Sequence, residues 1–132
     1  RNIGKNLQYW NFPVRTVHPQ QLLENWYREH ARTLFKERLD ECYRLATREG
    51  VREPMLRIQK MTSRWGSCSD KGRILLNLEL IKAPRDYTDY VITHELCHLK
   101  EKHHGPRFWK LLEKLMPDYE QRRKKLNLFA DV

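Results

Sequence analysis

The chain has 132 residues, 39% of them hydrophobic and 33% charged, with a formal net charge of +9. This suits one globular domain with one core, and no apolar run approaches the ~20 residues of a membrane span. Three scattered cysteines (Cys42, Cys68, Cys97) favour reduced thiols in a cytoplasmic protein over a disulfide scaffold. No signal peptide is visible. A start at Arg1 without Met leaves room for a missing upstream region. Residues 1–132 are expected to form a single domain.

The charge is unevenly placed. Residues 1–62 carry 12 Lys/Arg against 7 Asp/Glu, residues 63–99 carry 5 against 5, and residues 100–132 carry 9 against 5. Basic flanks of this kind attract nucleic acid, nucleotides or another anionic partner, or serve as ordinary solvated surface. No aromatic-rich nucleic-acid motif accompanies them, and the solvated reading is the preferred one.

In chain order, Tyr9, Trp10, Phe12, Val14 and Val17 suit an extended segment packed on the domain. A long helix is expected from Pro19, a favourable first-turn residue. Its stripe is Leu23, Tyr27, Ala31, Phe35, Leu39, Cys42 and Ala46, and Gly50 is its stop. His30 on this helix reads as scaffold. Pro54 resets the chain, and Leu56–Gln59 alternates as a strand. Arg73–Leu78 reads as a second strand after the turn signal Asp70-Lys71-Gly72, and together they suggest a hairpin. Between them, Trp65-Gly66 and two small residues imply close backbone packing. Cys68 reads as a buried thiol before a ligand. Pro84 opens a helix with Asp86 in its first turn, suited to the helix dipole. Pro106 opens another, with the stripe Phe108, Trp109, Leu112, Leu115 and Met116. Pro117 ends it, and Asp118 can cap a last basic helix through Leu126.

The helix after Pro84 carries the chemistry. Val91-Ile92-Thr93-His94-Glu95-Leu96-Cys97-His98 contains H-E-x-x-H with an apolar approach. His94 and His98 lie one turn apart on one helical face and can grip one metal ion. Glu95 is not placed to share that position but can reach a water on the metal. A further ligand is needed. His104 has the spacing of the third His in H-E-x-x-H-x-x-G-x-x-H, although Glu101 replaces the turn glycine. A straight helix would carry His104 to the wrong face, so the helix must end soon after Leu99. Gly105 is expected to let the chain turn tightly. His103, Glu113 and Glu120 are the other candidates.

Arg64-Trp65-Gly66-Ser67-Cys68, Leu76-Asn77-Leu78, Asp89-Tyr90-Val91, the H-E-x-x-H helix, His104 and Phe108-Trp109 together resemble the YgjP-like metallopeptidase domain, related to SprT-like and other zincin-fold proteins. The resemblance covers roughly residues 56–126. It implies an α+β fold: a small zincin-like domain with a long N-terminal helix, a short curved antiparallel or mixed sheet, the H-E-x-x-H helix and C-terminal helices. An edge strand would border the cleft. It also implies Zn²⁺ held by His94, His98 and His104, with Glu95 as general base and a peptide or protein as substrate. The strand Arg73–Leu78 is the expected main-chain partner of that peptide. Tyr87, Tyr90 and Arg64 are candidates to stabilise the oxyanion. The rival readings are a metal-dependent phosphohydrolase acting on nucleotides and a nucleic-acid-associated metal-binding module.

Overall fold

In a computed structural model of the chain, the described residues are 18–130. The extended segment expected around Tyr9, Trp10, Phe12, Val14 and Val17 lies outside them. The elements are α1 (Pro19–Ala46), β1 (Met55–Gln59), β2 (Gly66–Cys68), β3 (Arg73–Asn77), α2 (Arg85–Lys100), α3 (Pro106–Leu115) and α4 (Tyr119–Ala130). Short 3-10 turns occupy Thr47–Glu49 and Leu78–Lys82.

Pro19 is the first residue of α1, where a missing N–H costs no helical bond. Gly50, in the left-handed region at φ 83°, closes the 3-10 turn that follows. The buried residues of α1 are Ala31, Phe35, Leu39 and Ala46. Leu23, expected on this stripe, is 54% exposed. The first turns of α1 run past the packed core, and among the described residues little covers them. Arg38 of α1 clamps Asp89 of α2 through two bonds of 2.8 Å each, from Nε to Oδ1 and from the guanidinium to Oδ2. Both side chains are mostly buried, so this bidentate pair fixes one helix against the other.

The sheet is mixed, with order β1-β3-β2. The expected hairpin of Leu56–Gln59 with Arg73–Leu78 does not form, because β1 runs parallel to β3. The antiparallel partner of β3 is the three-residue β2, joined across Ser69–Gly72. β3 also stops at Asn77, and Leu78 begins the 3-10 turn. Ile74 and Leu76 of β3 meet Phe35 and Leu39 of α1, and Ile92, Leu96 and Cys97 of α2, in one core. Phe108 and Leu112 of α3 complete it. Leu111 is also buried there, while the expected Trp109 and Leu115 are only half-buried. The last helix runs to Ala130, one turn beyond the expected Leu126.

One polar residue organises the loop between β1 and β2. Asn77 is 5% exposed, and its amide makes four bonds. Nδ2 donates to Arg64 O at 2.7 Å and Met61 O at 3.0 Å; Oδ1 accepts from Glu79 N at 3.0 Å and Met61 N at 3.3 Å. Asn77→Ala should lower unfolding stability by about 2 kcal/mol, since four part-buried main-chain bonds are lost. Chemical denaturation checks this; stability within about 0.5 kcal/mol of the parent would contradict it.

Candidate metal centre

His94 and His98 project from one face of α2, with ring centroids 4.9 Å apart. Glu101 leaves the helix in extended conformation, with its N–H still bonded to Cys97 O at 2.8 Å. The five residues 101–105 then double the chain back before α3 begins. This reversal brings His104 Nε2 to 2.8 Å from His98 Nε2 and 3.3 Å from His94 Nε2. One ring nitrogen from each of the three histidines lies within 4.8 Å of the others, a set that could hold a metal ion. Gly105 plays a smaller part than expected. Its φ of −94° is open to any residue, and an added Cβ would meet nothing within 4 Å.

The three rings rest on one floor. Phe108 is fully buried, with its centroid 4.9, 4.5 and 4.8 Å from those of His94, His98 and His104. Trp109 Nε1 donates to His104 O at 3.1 Å, which ties the third histidine to α3. The Phe-Trp pair thus supports the site as well as the core.

The donor chemistry fits a cation. A neutral imidazole carries one N–H and one lone pair. His104 Nε2 cannot use one position both to donate to one neighbour and to accept from the other. Two nitrogens bound to a tetrahedral ion at 2.0–2.1 Å stand about 3.3 Å apart, close to the spacing found. His98 Nδ1 donates to Glu101 O at 3.2 Å, leaving the Nε2 lone pair directed at the cluster. Burial, with His98, His104 and Arg123 nearby, pushes His94 down to about 4, so its ring is neutral. His94 Nδ1 is buried with no partner among the described residues.

Glu95 lies beside the cluster, 7% exposed. Burial raises its carboxyl to about 7, against a smaller downward pull from Arg64. His94, Glu95, His98 and His104 line a cleft of about 350 Å³ whose opposite wall is the loop and strand Arg64–Asp70. Gly66 explains how that wall comes so close. A Cβ there would lie 2.9 Å from Val91 Cγ1 and 3.3 Å from Glu95 Cγ, so a side chain would force β2 or α2 to shift. This is the close packing expected of Trp65-Gly66.

The other candidates fall elsewhere. His103 is exposed and outside the cluster. Glu113 and Glu120 are exposed and line a separate cavity with Lys124. His30 stacks on Trp26, with centroids 3.9 Å apart. Cys68 lines the cleft without joining the nitrogen cluster, and burial raises its thiol to about 11. Several flank cations, including Lys36, Arg44, Lys60 and Lys114, sit in ion pairs.

With this geometry in view, the comparisons with known proteins decide the family. The pattern of the YgjP-like, metallopeptidase domain family matches residues 5–129. The chain belongs to the YgjP-like metallopeptidase family. No curated protein matches it. Among solved structures, it is similar to the metallopeptidase zymogen abylysin of Pyrococcus abyssi, with TM-score 0.62 and 23% identity over 70% of this chain and 90% of that one. It is also similar to the zymogen jannalysin of Methanocaldococcus jannaschii, with TM-score 0.61 and 22% identity over 73% and 96%. These likenesses show the fold, the small zincin-like α+β architecture expected. Membership makes the chain a metal-dependent peptide hydrolase, and a nucleotide phosphohydrolase is not favoured. No described helix is long and apolar enough to cross a membrane.

Some features of this YgjP-like domain escape sequence reasoning. β3, expected to hold a substrate strand, is the central strand with both edges already paired. The strand at the cleft is β2. Tyr87 packs against Phe129, with centroids 6.2 Å apart, whereas Tyr90 and Arg64 border a cavity that reaches Glu95. Arg123 borders the same cavity; in the sequence it stands in the run Arg122-Arg123-Lys124-Lys125 and looks like a solvated face. Its one sequence signal is a position one turn before the apolar Leu126.

Proposed function

We propose that this domain is a zinc metallopeptidase in which His94, His98 and His104 hold the ion and Glu95 is the general base. The observation that carries the reading is the convergence of three Nε2 atoms beside a buried carboxylate in one cleft. An all-imidazole set is borderline in softness and suits zinc. A bound zinc ion acidifies a water molecule and polarises a peptide carbonyl. Glu95 takes the water's proton on a carboxylate oxygen and delivers it to the leaving amine. Its buried position keeps that carboxylate poorly solvated and reactive. Phe108 and Trp109 hold the imidazoles in place, and Glu101 O holds His98 in the required tautomer.

The substrate lies extended along β2, whose Gly66–Cys68 backbone faces the cleft, and main-chain hydrogen bonds position it. Tyr90 and Arg64 are the groups best placed to steady the developing oxyanion. The test is a mixture of unlabelled peptides incubated with zinc-loaded protein, with new termini identified by mass spectrometry. Cuts that a chelator abolishes are expected. Intact peptides at every pH and zinc concentration would sink the reading.

A further inference from the structure

The cleft is not the only cavity that reaches the reacting groups. A second, of about 310 Å³, shares Gly66, His94 and Glu95 with the first. A peptide laid across the centre therefore has a cavity for the residue on either side of the cut bond. The second cavity has an apolar wall, including Val91 and Leu126, and two guanidinium groups, Arg64 and Arg123.

Several described arginines, including Arg32, Arg57 and Arg107, form no ion pair; what sets Arg64 and Arg123 apart is that they line this cavity. Arg38 and Arg122 pair with Asp89 and Asp118. Among the described residues, neither Arg64 nor Arg123 forms an ion pair. Arg123 is half-buried, with its guanidinium 5.9 Å from the centroid of Trp109. Trp109 is itself stacked on Tyr119, with centroids 5.8 Å apart. The main chain of Arg64 is pinned by Asn77 through its carbonyl. Both cations thus border one cavity beside the reacting centre. Arg64 is exposed, and the carboxylate that shares the cavity, Glu95, forms no ion pair with either arginine and feels Arg64 only as a downward pull smaller than the effect of burial. A guanidinium matches a carboxylate in shape and charge, and Arg123, held against Trp109, loses little freedom on binding. The apolar wall suits the methylenes that carry such a group.

We propose that Arg64 and Arg123 form a carboxylate-accepting subsite adjoining the scissile bond, filled by a Glu or Asp side chain or by the α-carboxylate of a peptide. This rests on the peptidase reading of the metal centre and adds a substrate preference to it.

The test separates binding from turnover. Zinc-loaded Glu95→Gln protein is titrated with fluorescein-labelled peptides in which one Glu is walked through an Ala-based sequence, each paired with a Gln twin. The best Glu register should bind about tenfold more tightly than its twin, the effect of one charge-assisted pair. Peptides ending in a free acid or an amide distinguish the α-carboxylate from the side chain. Adding Arg64→Gln and Arg123→Gln should bring the ratio near one, and Lys at both positions should restore part of it. The ratio should also shrink severalfold from about 50 to about 500 mM salt, a readout that needs no change at either arginine. Equal binding of acid and neutral twins, or a ratio that survives the double substitution or high salt, would overturn the proposal. Parallel cleavage by the unsubstituted protein tells two failures apart. Cutting without charge preference removes the subsite and keeps the peptidase. Charge-selective binding without cutting removes the peptidase and keeps the subsite.

Discussion

Glu95→Gln is expected to leave one metal per chain and to lower peptide hydrolysis by about 10²–10⁴-fold, the usual worth of a positioned general base. Glu95 sits one residue after His94, so the helix turns it about 100° away from the line joining the two histidines. Its carboxylate is outside the nitrogen cluster, and replacing one oxygen by an amide removes no ligand. What the amide cannot do is accept a proton. The carboxylate is buried, and burial rather than a hydrogen bond dominates its upward shift to about 7. A cation bound next to it favours the ionised form, so loading the site draws this group back towards the base it must be. Gln is close to Glu in size, which protects the contact with Gly66 and hence the wall of the cleft. The measurement is kcat/KM on a cleaved peptide, alongside metal content. Turnover at the parent rate would remove Glu95 from the role; loss of metal together with activity would make it a ligand.

The second large effect concerns the third histidine. His104→Ala should weaken zinc binding by at least ~100-fold, while His103→Ala should change it less than about threefold. The two residues are neighbours in sequence and both are exposed, but they differ in what they touch. His104 faces His94 and His98, rests on Phe108 and is held through its carbonyl by Trp109. His103 is exposed and outside the cluster. Removing His104 leaves two protein nitrogens, which a competing chelator or water readily displaces. Competition with a fluorescent zinc indicator reads both variants on one scale. The reverse order would move the ligand to His103. Weakening only in Glu113→Ala or Glu120→Ala would move it to α3 or α4, and their place in a separate cavity argues against that.

Much of this architecture is legible in the chain because it is local. The His94–His98 spacing, the Pro19 and Pro106 helix starts and the Gly50 stop each act within a few residues. The reversal that brings His104 back follows from helix geometry alone, since a straight helix would point it away. Other features escape because they depend on partners distant in sequence. Three residues, Gly66–Cys68, are too short and too polar to show strand alternation, so β2 reads as loop and β1 is paired with the wrong direction of β3. The importance of Asn77 is invisible without knowing that Met61 and Arg64 need its amide. Arg123 looks like any other cation of a basic run until Trp109 and His94 are placed beside it. Gly105 shows the opposite error: glycine before proline suggests a forced turn, yet the backbone there is ordinary.

The most direct test of the zinc peptidase is stoichiometric reconstitution. Protein stripped with a chelator and dialysed is titrated with Zn²⁺ while cleavage of one identified peptide is followed. The rate should rise from zero, reach its plateau at one Zn²⁺ per chain, and remain at zero throughout for the His94→Ala protein. Cleavage that persists in excess chelator, or that never appears although one Zn²⁺ per chain is bound, would contradict the account.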